Sequence, residues 1–172
     1  MPKLATTRFN EQTWKENDKW RRQHAYVGCI YGTPMLIKST VFDDDLLFII
    51  EMKNHENQVG AIGMIKNMNF EDKSYHIYSD GNYNRYIYKS KYRISREELK
   101  RDPAFAYQEK IMQIFDVILF KGARHYKRGQ GITCIPDYIS KNKYFDFIQF
   151  FKNMFIKRFG YKQSSHLNNN IL

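Results

Sequence analysis

The run Leu46-Leu47-Phe48-Ile49-Ile50 limits the fold of this chain more than any other stretch. Five consecutive apolar residues, with Glu51 and Met52 following, read as a strand buried in the fold rather than a half-exposed one. A polar connection, Asn54 to Asn57, leads into Gln58 to Lys66, so the two runs make a hairpin candidate. Gly60 and Gly63 fall inside the second run. Glycine weakens a plain strand, so its presence there predicts a bulge or a close backbone approach.

Shorter signals lie on both sides of this hairpin. Tyr26 to Tyr31 reads as a strand, Gly32-Thr33-Pro34 as a turn and Met35 to Lys38 as a second short extended piece. Lys73 to Tyr92 reads as another hairpin, with Tyr75 and Ile77 facing Tyr86 and Tyr88 across Ser79-Asp80-Gly81-Asn82. Ser95 and Glu98 form a capping box, and Asp102 with Pro103 sets an N-cap ahead of a helix whose stripe is Ile111, Ile114, Phe115 and Ile118, ending at Gly122. Ile132 to Ile135 is a short strand stopped by Pro136. Tyr144, Phe147, Phe151, Met154, Phe155 and Ile156 mark an amphipathic helix that ends near Gly160, with Lys152, Lys157 and Arg158 off the stripe. Core docking is the expected role of that helix, and a partner- or membrane-facing one the alternative.

Asn10 to Gln23 carries both tryptophans, Trp14 and Trp20, among Lys15, Lys19, Arg21 and Arg22. Six helical steps of 100° would leave the rings about 120° apart, so a loop or short helical turn is expected. The rings are either base-stacking platforms or anchors for an N-terminal arm. The predicted organisation is one domain: a basic arm over 1–24, a core over 25–160 and a polar tail over 161–172 that frays.

The chain carries 28 Lys and Arg against 18 Asp and Glu, a net charge of +10, together with thirteen Tyr and thirteen Phe. Positive charge with many aromatic faces suits a polyanion bearing bases, so nucleic acid, DNA or RNA, is the first expected partner and an anionic membrane the second. The N-terminus has no apolar core of signal length, and no window approaches eighteen apolar residues, which predicts a soluble, intracellular protein without a transmembrane segment. Cys29 and Cys134 sit in strand-like apolar runs and read as small buried hydrophobes, with a single bridge between them as the other possibility.

Positive charge and glycine coincide in one segment, Phe120 to Pro136, which holds Lys121, Arg124, His125, Lys127 and Arg128 with Gly122, Gly129 and Gly131. Glycines permit positive φ and close approach of N–H groups to a ligand, and the fixed cations hold an anion there. No Lys-Ser/Thr pair follows Gly129, so a nucleotide P-loop is excluded. An anion-binding loop is expected; a solvated cationic turn is the plainer reading.

Catalytic patterns are sparse. His24, His55, His76, His125 and His166 show no zinc-ligand spacing with one another or with the cysteines, and no Ser-centred glycine elbow is present, so neither a metal site nor a cofactor is expected. Asp43-Asp44-Asp45 followed by Glu51-Met52-Lys53 resembles the restriction-endonuclease-like arrangement of aspartate and Glu-x-Lys around Mg²⁺. On one strand Asp45 and Glu51 would stand roughly 20 Å apart, too far to share an ion. A Mg²⁺-dependent nuclease is therefore the second alternative.

Val59-Gly60-Ala61-Ile62-Gly63, with Gln130-Gly131-Ile132-Thr133-Cys134-Ile135-Pro136, resembles segments of the PUA-like superfamily that includes EVE and YTH domains. The resemblance implies a small mixed β-barrel and a pocket that holds a modified base between aromatic rings beside a basic surface. Gly28-Cys29-Ile30-Tyr31-Gly32-Thr33-Pro34, with the basic loop, is similar to uncharacterised proteins of large cytoplasmic DNA viruses. That likeness implies a setting in host cytoplasm or the virion, possible contact with virion proteins, and a capsid-associated or genome-packaging role as the first alternative. The combined expectation is an α+β domain: a curved mixed β-sheet, or partly closed PUA-like barrel, of about six strands flanked by two main helices. It binds nucleic acid through Lys121, Arg124, His125, Lys127 and Arg128, with Trp14 and Trp20 stacking on bases.

Overall fold

A computed structural model describes residues 1–38, 41, 43, 45–70 and 74–160. Its strands are β1 (Lys3–Phe9), β2 (Cys29–Thr33), β3 (Leu46–Lys53), β4 (Gln58–Lys66), β5 (Tyr86–Ser90), β6 (Arg93–Ser95), β7 (Thr133–Cys134), β8 (Lys141–Asn142) and β9 (Phe145–Asp146). Its helices are α1 (Glu11–Gln23), α2 (Arg96–Arg101), α3 (Ala106–Phe120), α4 (Asp137–Ser140) and α5 (Phe147–Phe159).

The apolar run becomes β3, the middle strand of a five-stranded mixed sheet ordered β6-β4-β3-β1-β7. It is antiparallel to β4 and parallel to β1, with Lys3 opposite Leu47 and Phe9 opposite Lys53. Side chains alternate across a strand, so a run without polar alternation needs cover on both faces. Phe48, Ile50 and Met52 meet Phe115 of α3 and Phe151 and Phe155 of α5 on one side. Leu47 and Ile49 meet Ile30, Tyr31 and Tyr88 of the β2–β5 ribbon on the other. The chain is thus an α+β fold with a mixed sheet, and its described strands do not close into a barrel.

Both expectations for the β4 glycines hold. Glu51 pairs with Ala61 and Met52 with Val59, so Gly60 is the extra residue of a bulge. A Cβ on Gly60 would lie 2.4 Å from the Trp14 ring, and one on Gly63 2.0 Å from the Tyr31 hydroxyl. The missing side chains let two aromatic rings lie against the sheet backbone.

Residues 1–24 do not form an arm. Lys3–Phe9 is a sheet strand with Leu4, Ala5, Thr6 and Thr7 buried, and Glu11–Gln23 is a 13-residue helix rather than a loop or single turn. Asn10 and Thr13 start that helix with a reciprocal cap: the Asn10 carboxamide accepts from the Thr13 N–H at 2.8 Å, and the Thr13 hydroxyl accepts from the Asn10 N–H at 3.0 Å. Three long helices, α1, α3 and α5, therefore replace the two expected.

The second predicted hairpin does not form. β5 pairs with β2, Tyr86 opposite Thr33 and Ser90 opposite Cys29. Tyr75, Ile77 and Tyr78 are buried without a ladder, because the Asn84 carboxamide accepts from the N–H groups of Ile77 and Tyr78, each at 3.0 Å. Ser79-Asp80-Gly81-Asn82 leads into a 3₁₀ turn, Gly81–Asn84, instead of a tight reversal. β2 extends through Thr33, and Met35 to Lys38 is not a strand. Lys73, Asp44, His166 and the Gln163–Leu172 tail lie outside the described residues.

Other local signals are realised as read. Ser95 and Glu98 cap α2, Asp102 caps the Pro103 turn, and Gly160 closes α5 at φ 62°. α5 docks into the core through Phe147, Phe150, Phe151, Met154 and Phe155. Tyr144 lies outside it, exposed beside β9, and Ile114 of the α3 stripe faces solvent, its place in the core taken by Met112 and Leu119. Among the described residues no helix is long and apolar enough to cross a membrane.

Cys29 and Cys134 are both free thiols, the first buried and the second half-buried. Burial pushes the Cys29 thiol up to about 12, the nearby Glu51 charge adding to the effect. Iodoacetamide at neutral pH should therefore label the folded protein at Cys134 first, with Cys29 reacting only on unfolding. Peptide mass spectrometry reads the order; early labelling of Cys29 would contradict its burial.

Candidate anion-binding site

The basic segment leaves α3 at Phe120 and crosses the open end of the sheet before returning as β7. Its three glycines all take positive φ, 79° at Gly122, 119° at Gly129 and 69° at Gly131, the conformation expected of them. The loop is tied down at several points. The Tyr126 N–H donates to the Leu119 carbonyl at 2.7 Å, and the Lys127 N–H donates to the His125 ring Nδ1 at 3.3 Å. From the sheet, Arg8 Nε donates to the Tyr126 carbonyl at 2.5 Å and the Asn54 carboxamide nitrogen to the Lys127 carbonyl at 3.0 Å. A segment whose plainer reading is a solvated cationic turn is thus braced by β1 and the β3–β4 turn.

Between this loop and the sheet lies a cavity of about 190 Å³. Arg8, Lys127, Gly129 and Gly131 line its basic side, and Tyr78 and Tyr83 stand on another wall with ring centroids 6.1 Å apart. The α1 cap residues Asn10 and Thr13 also border it. No carboxylate lines it.

Buried arginines elsewhere among the described residues are paired with carboxylates. Arg93 is paired with Glu51 at 2.7 Å, Arg96 with Glu109 at 2.5 Å and Asp116 at 3.0 Å, and Arg158 with Glu98 at 3.0 Å. By contrast, Arg8, Lys121, Arg124, Lys127 and Arg128 form no ion pair among the described residues. Arg8 is half-buried, and burial pulls its guanidinium below the ordinary arginine value without neutralising it. A desolvated cation that meets only the Tyr126 carbonyl and, at 3.4 Å, the Thr133 hydroxyl retains its attraction for an anion. The buried oxygen of the Asn54 carboxamide also has no hydrogen-bond partner.

Of the residues predicted from sequence, Lys127 alone borders the cavity. Lys121, Arg124 and Arg128 are exposed along the same loop, and His125 is half-buried as the acceptor for the Lys127 N–H. The tryptophans are elsewhere. Trp14 sits edge-on to Phe9 at 5.4 Å over Gly60, with Lys53 Nζ 4.9 Å from its ring centroid. Trp20 stacks on His24 at 4.1 Å and meets Tyr26 and Tyr75. Tyr78 and Tyr83, and neither tryptophan, border the cavity. Arg8, Asn54, Tyr78 and Tyr83 carried no signal of their own, because each enters the cavity through long-range packing.

The carboxylate of the nuclease-like pattern is also committed elsewhere. Glu51 is buried, and its oxygens accept from Arg93 Nε at 2.8 Å, Arg93 Nη2 at 2.7 Å and the Tyr31 hydroxyl at 2.9 Å. Asp45 receives the Met1 amine at 3.0 Å. Among the described residues no three His, Cys, Asp or Glu side chains stand together as metal ligands. In comparisons with protein-family models, curated proteins and solved structures, the chain has no match.

Proposed function

We propose that this protein binds nucleic acid, with the Lys121–Arg128 loop on the phosphate backbone and the adjoining cavity receiving one group of the strand. One observation carries the reading: five cations converge on one loop and one cavity without carboxylate partners, while buried arginines elsewhere are neutralised. Unpaired cations held on a braced backbone favour phosphates, whose oxygens accept charge-assisted hydrogen bonds. The resemblance to PUA-like proteins adds the expectation of a modified base held between aromatic rings. Gly131, in the segment that carries this resemblance, lines the cavity, and Phe9, Tyr78 and Tyr83 are the aromatic residues that border it.

The test is the double replacement Lys127→Ala with Arg128→Ala. Affinity for single- and double-stranded oligonucleotides should fall whatever their sequence, and the slope of log K against log salt should flatten by roughly one to two, since each lost phosphate contact releases fewer counterions. Neither side chain has a hydrogen-bond or ion-pair partner among the described residues, so the melting temperature should hold. Unchanged affinity at low salt would remove the loop from the binding surface.

A further inference from the structure

We infer that the cavity between Arg8 and Lys127 receives a terminal phosphate monoester of the bound strand rather than an internal phosphodiester. The inference rests on the nucleic-acid reading above and narrows it to the end of the strand.

Charge is the first reason. Two cations and no carboxylate line the space. A phosphate monoester carries about −1.5 to −2 near neutral pH, whereas a diester carries one charge, so only the monoester matches both cations. Geometry is the second. A diester continues in two directions and suits an open surface such as the exposed run of Lys121, Arg124 and Arg128. A cavity of about 190 Å³ bounded by the sheet, two tyrosines and the loop suits a group that has a single continuation.

The chemistry of the walls agrees. Arg8 is held through Nε by the Tyr126 carbonyl and through Nη1 by the Thr133 hydroxyl, which fixes the plane of its guanidinium and leaves Nη2 and the second Nη1 proton for phosphate oxygens. Gly129, at φ 119°, lies across this guanidinium; even its absent Cβ would come within 3.4 Å of the Arg8 Cζ. The Asn54 carboxamide oxygen is an acceptor lacking a donor, and a sugar hydroxyl next to the phosphate supplies that chemistry. Tyr83, half-buried, offers a ring face to the sugar or its base.

Three single-stranded oligonucleotides of one sequence test this: 5′-phosphorylated, 3′-phosphorylated and hydroxyl-ended at both termini, titrated by fluorescence anisotropy at fixed salt. One phosphorylated form should bind about tenfold more tightly than the hydroxyl-ended form, the size of one charge-assisted contact. Arg8→Gln should abolish that gap, bringing the phosphorylated and hydroxyl-ended forms to one affinity. Because Arg8 also braces Tyr126, Asn10→Asp serves as a second variant: it places a carboxylate in the cavity wall, keeps the N-cap acceptor of α1 and should likewise close the gap. Equal binding of all three oligonucleotides by the unaltered protein overturns the inference and leaves the nucleic-acid reading standing. Failure to bind any of them at low salt overturns both, and a gap that survives in a folded Arg8→Gln or Asn10→Asp protein assigns the terminal phosphate to another site.

Discussion

Replacing Arg93 with alanine should destabilise the protein by about 3–5 kcal/mol, because it strands a charge inside the fold. Glu51 is 2% exposed, and Arg93 supplies two of the three hydrogen bonds that its carboxylate accepts. The remaining donor is the Tyr31 hydroxyl, and Tyr31 reaches it across the gap left by Gly63. Burial pushes the Glu51 carboxyl up, but the Arg93 guanidinium outweighs it and holds the group below its ordinary value. A depressed folded value contributes stability in full above the unfolded one, about pH 4.3, and loses it as pH falls through the folded value. Without Arg93, burial is opposed only by the Arg21 charge and the Tyr31 hydroxyl, so the carboxyl should rise and acidification from neutral pH should narrow the gap between variant and wild type. A melting temperature lower by about 6–20 °C at neutral pH is expected. The paired replacement Glu51→Leu with Arg93→Met, which removes both charges, should recover most of the loss. Denaturant unfolding at pH 7 and pH 4 reads each of these. An Arg93→Ala protein within 1 kcal/mol of wild type at pH 7, about the worth of an exposed pair, would mean that the buried one is not what holds β3, β6 and the β2–β5 ribbon together.

Trp14→Ala should lower stability and leave nucleic-acid affinity alone. The ring fills the space above Gly60 and meets Phe9 edge to face at 5.4 Å, with the Lys53 and Arg93 cations 4.9 Å and 5.9 Å from its centroid. Truncating a fully buried tryptophan costs roughly 3–5 kcal/mol, and this one is half-buried, so a loss of about 2–3 kcal/mol is expected. That corresponds to a melting temperature lower by about 4–12 °C. Both rings are packed onto the second core, so nucleotide addition should leave tryptophan fluorescence unquenched. Quenching, with an affinity loss of roughly 1–3 kcal/mol and no change in melting, would instead restore the rings as stacking platforms. A Gly60→Ala companion should destabilise by the same route, since its Cβ would enter the ring.

What could be read from the chain alone was whatever depends on short sequence separation. The apolar run at Leu46–Ile50, the bulged hairpin with its two glycines, the Ser95 and Asp102 caps, the Gly160 stop and the positive-φ glycines of the basic loop each follow from backbone sterics or from hydrogen bonds over a few residues. Tertiary structure decided the rest. β1 was invisible because Thr6, Thr7 and Arg8 read as polar, yet β3 on one side and β7 on the other satisfy its backbone, and its hydroxyls bury cheaply once bonded. β5 joined β2 rather than its sequence neighbour because Asn84 had already satisfied the N–H groups that a local hairpin would have used. The cavity belongs to neither list of local signals: Arg8, Asn54, Tyr83 and Lys127 come from four separated segments, and their meeting is set by strand register, which no spacing along the chain encodes.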